Sequence, residues 1–139
     1  MSDFSVKGEW FFEYEDGTVT GPFSNFITQA GLELIAQSLI DLPSLYIAIG
    51  DDTAPGETMI EIMRKPVSSA TRTYNQVRIR TQLMQVEAVG DHNKAAIFTG
   101  ATGTAGSGTM LNLLVQPWSK ASNTILTVEA RITVSGGQL

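Results

Sequence analysis

Between Thr124 and Val134 apolar and polar residues alternate without a break. Leu126, Val128, Ala130, Ile132 and Val134 share one parity, and Thr127, Glu129, Arg131 and Thr133 the other. Successive side chains of a strand point to opposite faces, so this pattern predicts a strand with one face in a core and one outside. The same period recurs along the chain. Leu45, Ile47 and Ile49 alternate with Tyr46, Ala48 and Gly50, and Val77, Ile79 and Leu83 oppose Arg78, Arg80 and Gln82 within a long run from Thr73 to Val89. In that run the phase flips at Met84, Val86 and Ala88, which predicts a bulge or a chain leaving one sheet for another. Ala95 to Thr99 and Met110 to Gln116 read as further strands, the second closed by Pro117. Met59 to Val67 fits a helical turn or a strand equally well, and Pro66 ends either.

Turn signals separate these runs. Trp10, Phe12 and Tyr14 alternate with Phe11, Glu13 and Glu15 before Asp16-Gly17, which predicts a hairpin over Gly8 to Pro22 with a two-residue turn. Gly90 to Lys94 reads as a polar turn, and Gly100 to Gly108 as a mobile loop or hairpin tip without a core anchor. One segment has helical period instead. Leu32, Ile35, Ala36, Leu39 and Ile40 fall on one stripe over Gln29 to Ile40, with Thr28 as the N-cap, an Ile27–Leu32 staple and Pro43 beyond. The fold class that follows is mainly β: an antiparallel, jelly-roll-like β-sandwich with an N-terminal hairpin and one amphipathic helix. A chain of 139 residues fits one domain, 1–139, with Met1 to Lys7 as a flexible or partner-docking arm.

Composition excludes several chemistries. Without cysteine there is no disulfide scaffold, thiolate zinc site or cysteine nucleophile. No apolar run approaches a membrane span and no export signal is expected at Met1-Ser2-Asp3, so the chain reads as made in a cytosol with no membrane partner. A net charge of −5 disfavours nucleic acid, and the nearest thing to a basic stripe is Arg72, Arg78 and Arg80. His92, the single histidine, is expected in an exposed loop, because its neighbour Asp91 points away from it in extended chain. Asp51, Asp52 and Glu57 offer oxygens to a calcium ion but match no EF-hand spacing, and turn chemistry explains both aspartates without metal. The glycine run lacks the lysine and helix of a phosphate loop, and no nucleophile elbow is present. The expectation is a protein without catalytic residues, metal or cofactor. Aromatic residues are the remaining feature: Trp10, Phe11, Phe12, Tyr14 and Trp118 are the candidate interface, with one face of the hairpin in the core and the other on a neighbour. An aromatic platform for glycan is the second reading of the same residues.

Three stretches together carry a resemblance: Ile27-Thr28-Gln29-Ala30-Gly31-Leu32, Tyr46-Ile47-Ala48-Ile49-Gly50-Asp51-Asp52-Thr53-Ala54-Pro55, and Pro117-Trp118-Ser119-Lys120 running to Leu126-Thr127-Val128. Their order resembles small virion proteins of tailed bacteriophages, including the adaptor parts of tail and collar fibres. In that pattern a glycine stands where Asp52 stands here, and a Glu-x-Gly-Leu-Phe stretch is reduced to Ala95-Ala96-Ile97-Phe98. The resemblance implies a non-enzymatic, multi-copy building block of the virion at the tail, collar or baseplate. Its implied partners are its own copies and other virion proteins; a capsid decoration or head-fibre protein is the alternative.

Overall fold

The computed structural model of the chain describes residues 2–136, with side chains from residue 4 onward. In chain order the elements are β1 (Ser2–Val6), β2 (Gly8–Glu13), β3 (Val19–Asn25), α1 (Gln29–Ile40), β4 (Tyr46–Gly50), β5 (Glu61–Pro66), β6 (Ser69–Thr73), β7 (Gln76–Leu83), β8 (Gly90–Thr99), β9 (Thr109–Lys120) and β10 (Leu126–Gly136). They form a mainly β sandwich of two four-stranded sheets, ordered β1-β10-β7-β6 and β5-β4-β8-β9, with β2-β3 as a separate ribbon. Every pairing is antiparallel except β1 on β10. Consecutive hairpins alternate between the sheets: β4–β5 in one, β6–β7 in the other, β8–β9 back in the first.

The parity of the strands decides what is buried. Val77 and Ile79 of β7, Ile132 and Val134 of β10, and Ile47 and Ile97 from the facing sheet meet in one apolar cluster. Leu32, Ala36 and Leu39 join it from α1, on the helical stripe that the sequence predicts. Fully burying a side chain of leucine or isoleucine size contributes about 1.5–3 kcal/mol, so this shared cluster is the main adhesive between the layers. Thr28 Oγ1 accepts from Gly31 N at 3.0 Å and caps α1. A second, smaller cluster of Ala48, Ala96, Phe98 and Ala101 lies on the opposite face of the β4–β8 pair. The β4–β8 pair is therefore buried on both faces, the outer one under the sheet's own loops.

Several expectations change. The first strand run is broken at Tyr74, whose φ is 53°, so Thr73 to Val89 is the end of β6, then β7, then a turn. The phase flip falls in that turn, where Glu87 N donates to Met84 O, and it marks the passage from one sheet to the other. The ambiguous stretch is a strand, β5. Pro117 does not end β9, because the register with β8 shifts between His92 and Lys94 and leaves Gln116 and Pro117 unpaired in a bulge. A bulge asks no ladder N–H of proline. Residues expected as an arm form β1, whose Ser2–Val6 pair in parallel with Ile132–Gly136; Met1 lies outside the described residues. The free edge of β10 at its C-terminal half is what captures them.

Candidate functional site

The ribbon β2–β3 departs from its sequence reading in two ways. Tyr14 N donates to Thr18 O, so the loop has three residues, Glu15 to Gly17, with Gly17 at φ 90° supplying the left-handed step. The return strand also does not stop at Gly21-Pro22. Trp10 pairs with Phe23 and Phe12 with Thr20, so Gly21 and Pro22 bulge opposite Phe11 and the strand runs on to Asn25. Gly21 has φ 121°, and a Cβ there would stand 2.6 Å from Trp10 O, so no other residue fits without displacing the strand.

Packing of the ribbon is the larger correction. None of its aromatic residues is in the core: Trp10 and Phe11 are each 59% exposed, Tyr14 55% and Phe12 48%. Phe23 and Val19 on the return strand are exposed as well. Phe12 and Phe23 lie against each other, ring centres 5.9 Å apart. The expected core face does not exist, since the core is built by the two sheets and α1 without any ribbon residue. Trp118, the fifth candidate, is elsewhere. It is half-buried on β9, its ring 4.7 Å from the His92 ring, and its Nε1 has no partner among the described residues.

His92 is not in an exposed loop. It lies in β8 with only 3% of its side chain exposed. Nδ1 is 2.6 Å from Asp51 Oδ1 and Nε2 is 2.6 Å from Ala88 O, so both ring nitrogens are engaged by acceptors and neither reaches solvent. Two residues along, on the same face, Lys94 is fully buried. Its Nζ donates to Asp52 Oδ2 at 2.8 Å, Ala54 O at 2.9 Å and Thr58 O at 2.7 Å. The acidic loop that offered oxygens to calcium is thus wrapped around a cation of the chain's own. Backbone donation from Ile60, and then the Lys94 ammonium, hold the Asp52 carboxyl down at about 2. Lys120 is also buried and donates to Gln85 O at 3.2 Å. Adjacent polar residues in Gly90 to Lys94 suggested a turn; the missing signal was the loops that cover this face.

The glycine-rich loop between β8 and β9 is anchored in the same manner. Arg64 on β5 makes a two-pronged pair with Glu61 (2.7 and 2.6 Å) and sends Nη1 to Thr102 O, Ser107 O and Ser107 Oγ. Its guanidinium lies 4.7 Å from the Phe98 ring centre. Gly106 N closes the clasp by donating to Glu61 Oε2. Ala101 is buried, so this loop does have a core anchor.

On the outer face of the other sheet, Arg78 pairs across strands with Arg131, and Arg80 with Glu129. Arg80 and Arg131 both contact Glu129, and all three arginines are exposed. Arg72, the third member of the expected stripe, is on the opposite parity and bonds Gln37 of α1. Arg131 takes its place; it was hidden in the sequence by 51 residues of separation from Arg80. Beside Arg131 a cleft of ≈ 240 Å³ opens between β9 and β10, floored by Ile47, Ile97, Val128 and Ala130. It exists because β1 covers β10 only from Ile132 onward. No protein-family model and no curated protein matches the chain.

Proposed function

We propose that the chain is a non-enzymatic structural subunit that works by packing into a larger assembly, the virion of a tailed bacteriophage at the tail, collar or baseplate. The observation that carries this reading is the ribbon β2–β3, whose aromatic residues are all about half or more exposed. A large aromatic side chain buries about 150–250 Å² when covered, so five half-exposed ones in a two-stranded ribbon are a strong drive to associate. The buried polar residues support the reading in another way. His92, Lys94 and Arg64 each spend their hydrogen bonds on the chain's own loops, as supports of a scaffold do. The same aromatic surface also suits a sugar face, which keeps the glycan-binding module as the second reading.

The Trp10→Ala/Phe12→Ala variant separates the two. Assembly predicts that its mass in light scattering falls towards that of one chain, or that it is lost from purified phage particles, with no loss of glycan binding. A glycan module predicts unchanged mass and incorporation with binding to a glycan array abolished, and that result overturns the proposal. Antibody labelling of particles then decides between tail and capsid, the position of a decoration or head-fibre protein.

A further inference from the structure

We infer that the aromatic ribbon of one copy docks on the cleft beside Arg131 of a second copy, head to tail. The inference rests on the assembly reading and names the partner surface within it.

The donor is convex, aromatic and acidic. Between Gly8 and Asn25 the chain carries Glu9, Glu13, Glu15 and Asp16 and no basic residue. Glu9 and Glu13 alternate with Trp10 and Phe12 along β2, and Glu15 and Asp16 follow at the tip, on a ribbon that makes no packed layer with either sheet. The acceptor is concave and apolar at its floor, with Glu129 and Arg131 in its lining and a basic patch on the adjoining outer face of the sheet. Arg78, Arg80 and Arg131 stand in adjacent positions of β7 and β10 with one carboxylate, Glu129, between them. Glu129 is held below the ordinary carboxylate range by Arg131 first and also by Arg80 and Arg78, so it stays charged and still leaves cationic excess on that face. That excess stands out in a chain of net charge −5. Along the cleft's far side, the edge strand β9 presents Leu114 and Val115, 48% and 64% exposed. An aromatic ring entering there covers these side chains and brings the acids of its ribbon towards Arg131 and the basic outer face beside it.

Both requirements, apolar cover and charge of the right sign, are met by surfaces of the same chain. Among the described residues no ion pair joins them within one copy: Glu9 contacts Lys7, and Arg80 and Arg131 contact Glu129. A second copy satisfies both. Because donor and acceptor are different surfaces, each copy keeps one free end after docking, and the contact propagates into a ring or an open filament.

Two charge-reversed proteins and their mixture test this. Arg78→Glu/Arg131→Glu has an acidic ribbon and an acidic acceptor; Glu9→Lys/Glu13→Lys/Glu15→Lys has a basic ribbon and a basic acceptor. Asp16 is left alone because its Oδ1 accepts from Thr18 N in the turn. Sedimentation at low salt is expected to show wild-type association weakened at least about tenfold in each variant alone. Mixing the variants restores it, since every ribbon then meets an acceptor of opposite sign; a misfolded variant could not be rescued in this way. If wild type associates and both variants associate equally well, the docking mode is wrong while the assembly reading stands. A wild type that is monomeric at every concentration also overturns the docking mode, and the assembly reading is then decided by particle incorporation of the Trp10→Ala/Phe12→Ala variant.

Discussion

Lys94 and His92 show how a residue's meaning depends on what lies over it. A buried ammonium is tolerable only where several acceptors surround it, and Lys94 has three. Lys94→Met leaves Asp52 and two carbonyls without that donor, and we expect it to cost about 3–5 kcal/mol in urea unfolding. A loss under 1 kcal/mol, on the order of an exposed pair, would show that the cage is not formed. His92→Ala removes two hydrogen bonds and the surface on which Trp118 rests, and about 2–4 kcal/mol is expected. The acid response has a definite sign. Asp52 at about 2, against an ordinary 3.8, binds its proton less readily folded than unfolded. Its contribution is therefore complete above about pH 4 and is lost as pH falls towards 2. Glu61, Glu87 and Glu129 are lowered by Arg64, Lys65 and Arg131 and act in the same direction. Asp52→Asn should lower stability at neutral pH and flatten its decline below pH 4; an unchanged acid profile would count against the assigned partners.

At the scale of elements, the loops of the β5-β4-β8-β9 sheet are structural members. Arg64→Lys keeps a charge but not the planar fork, so the three oxygens of the Gly100–Gly108 loop lose their donor. We expect faster amide exchange through that loop and a loss of about 2 kcal/mol, with α1 unaffected. The ribbon is the opposite case. With no layer beneath it, β2–β3 is held by its own ladder and a pair of phenylalanine rings. Two-stranded ribbons are marginal in water, so its amides should exchange far faster than those of β7 and β8 in the free subunit. On assembly they should become protected. Protection equal to that of the core in a monomer would contradict the exposure described.

For the whole molecule, the sandwich and the ribbon divide the labour: one supplies a stable body, the other an unsatisfied surface. The apolar cluster shared by both sheets and α1 needs no neighbour to be complete. The ribbon and the cleft beside Arg131 are both left open. Substituting Trp10 and Phe12 together should therefore leave the melting temperature of the monomer within a few degrees of wild type while changing what it assembles with. A large drop in that temperature would place the aromatic residues in the core after all.

The hairpin β2–β3, the strands β4, β7, β9 and β10, the one helix with its Thr28 cap, and which parity of β7 and β10 faces inward were legible from periodicity, because period and capping are local properties of the chain; β1, β6 and the Gly90–Lys94 half of β8 were not. Bulges at Gly21-Pro22 and Gln116-Pro117 were not, since proline marks a break in the ladder without telling whether the strand resumes. Burial of His92, Lys94 and Arg64 was invisible for a different reason. Each is polar by sequence and becomes interior only when the Asp51–Ile60 and Gly100–Gly108 loops fold over the sheet, bringing acceptors from some 40 residues away. Conversely the aromatic ribbon, apolar by sequence, is left outside because the two sheets and α1 supply every residue of the core. Local order follows from residue type; which side of a strand counts as inside follows from what the rest of the chain lays against it.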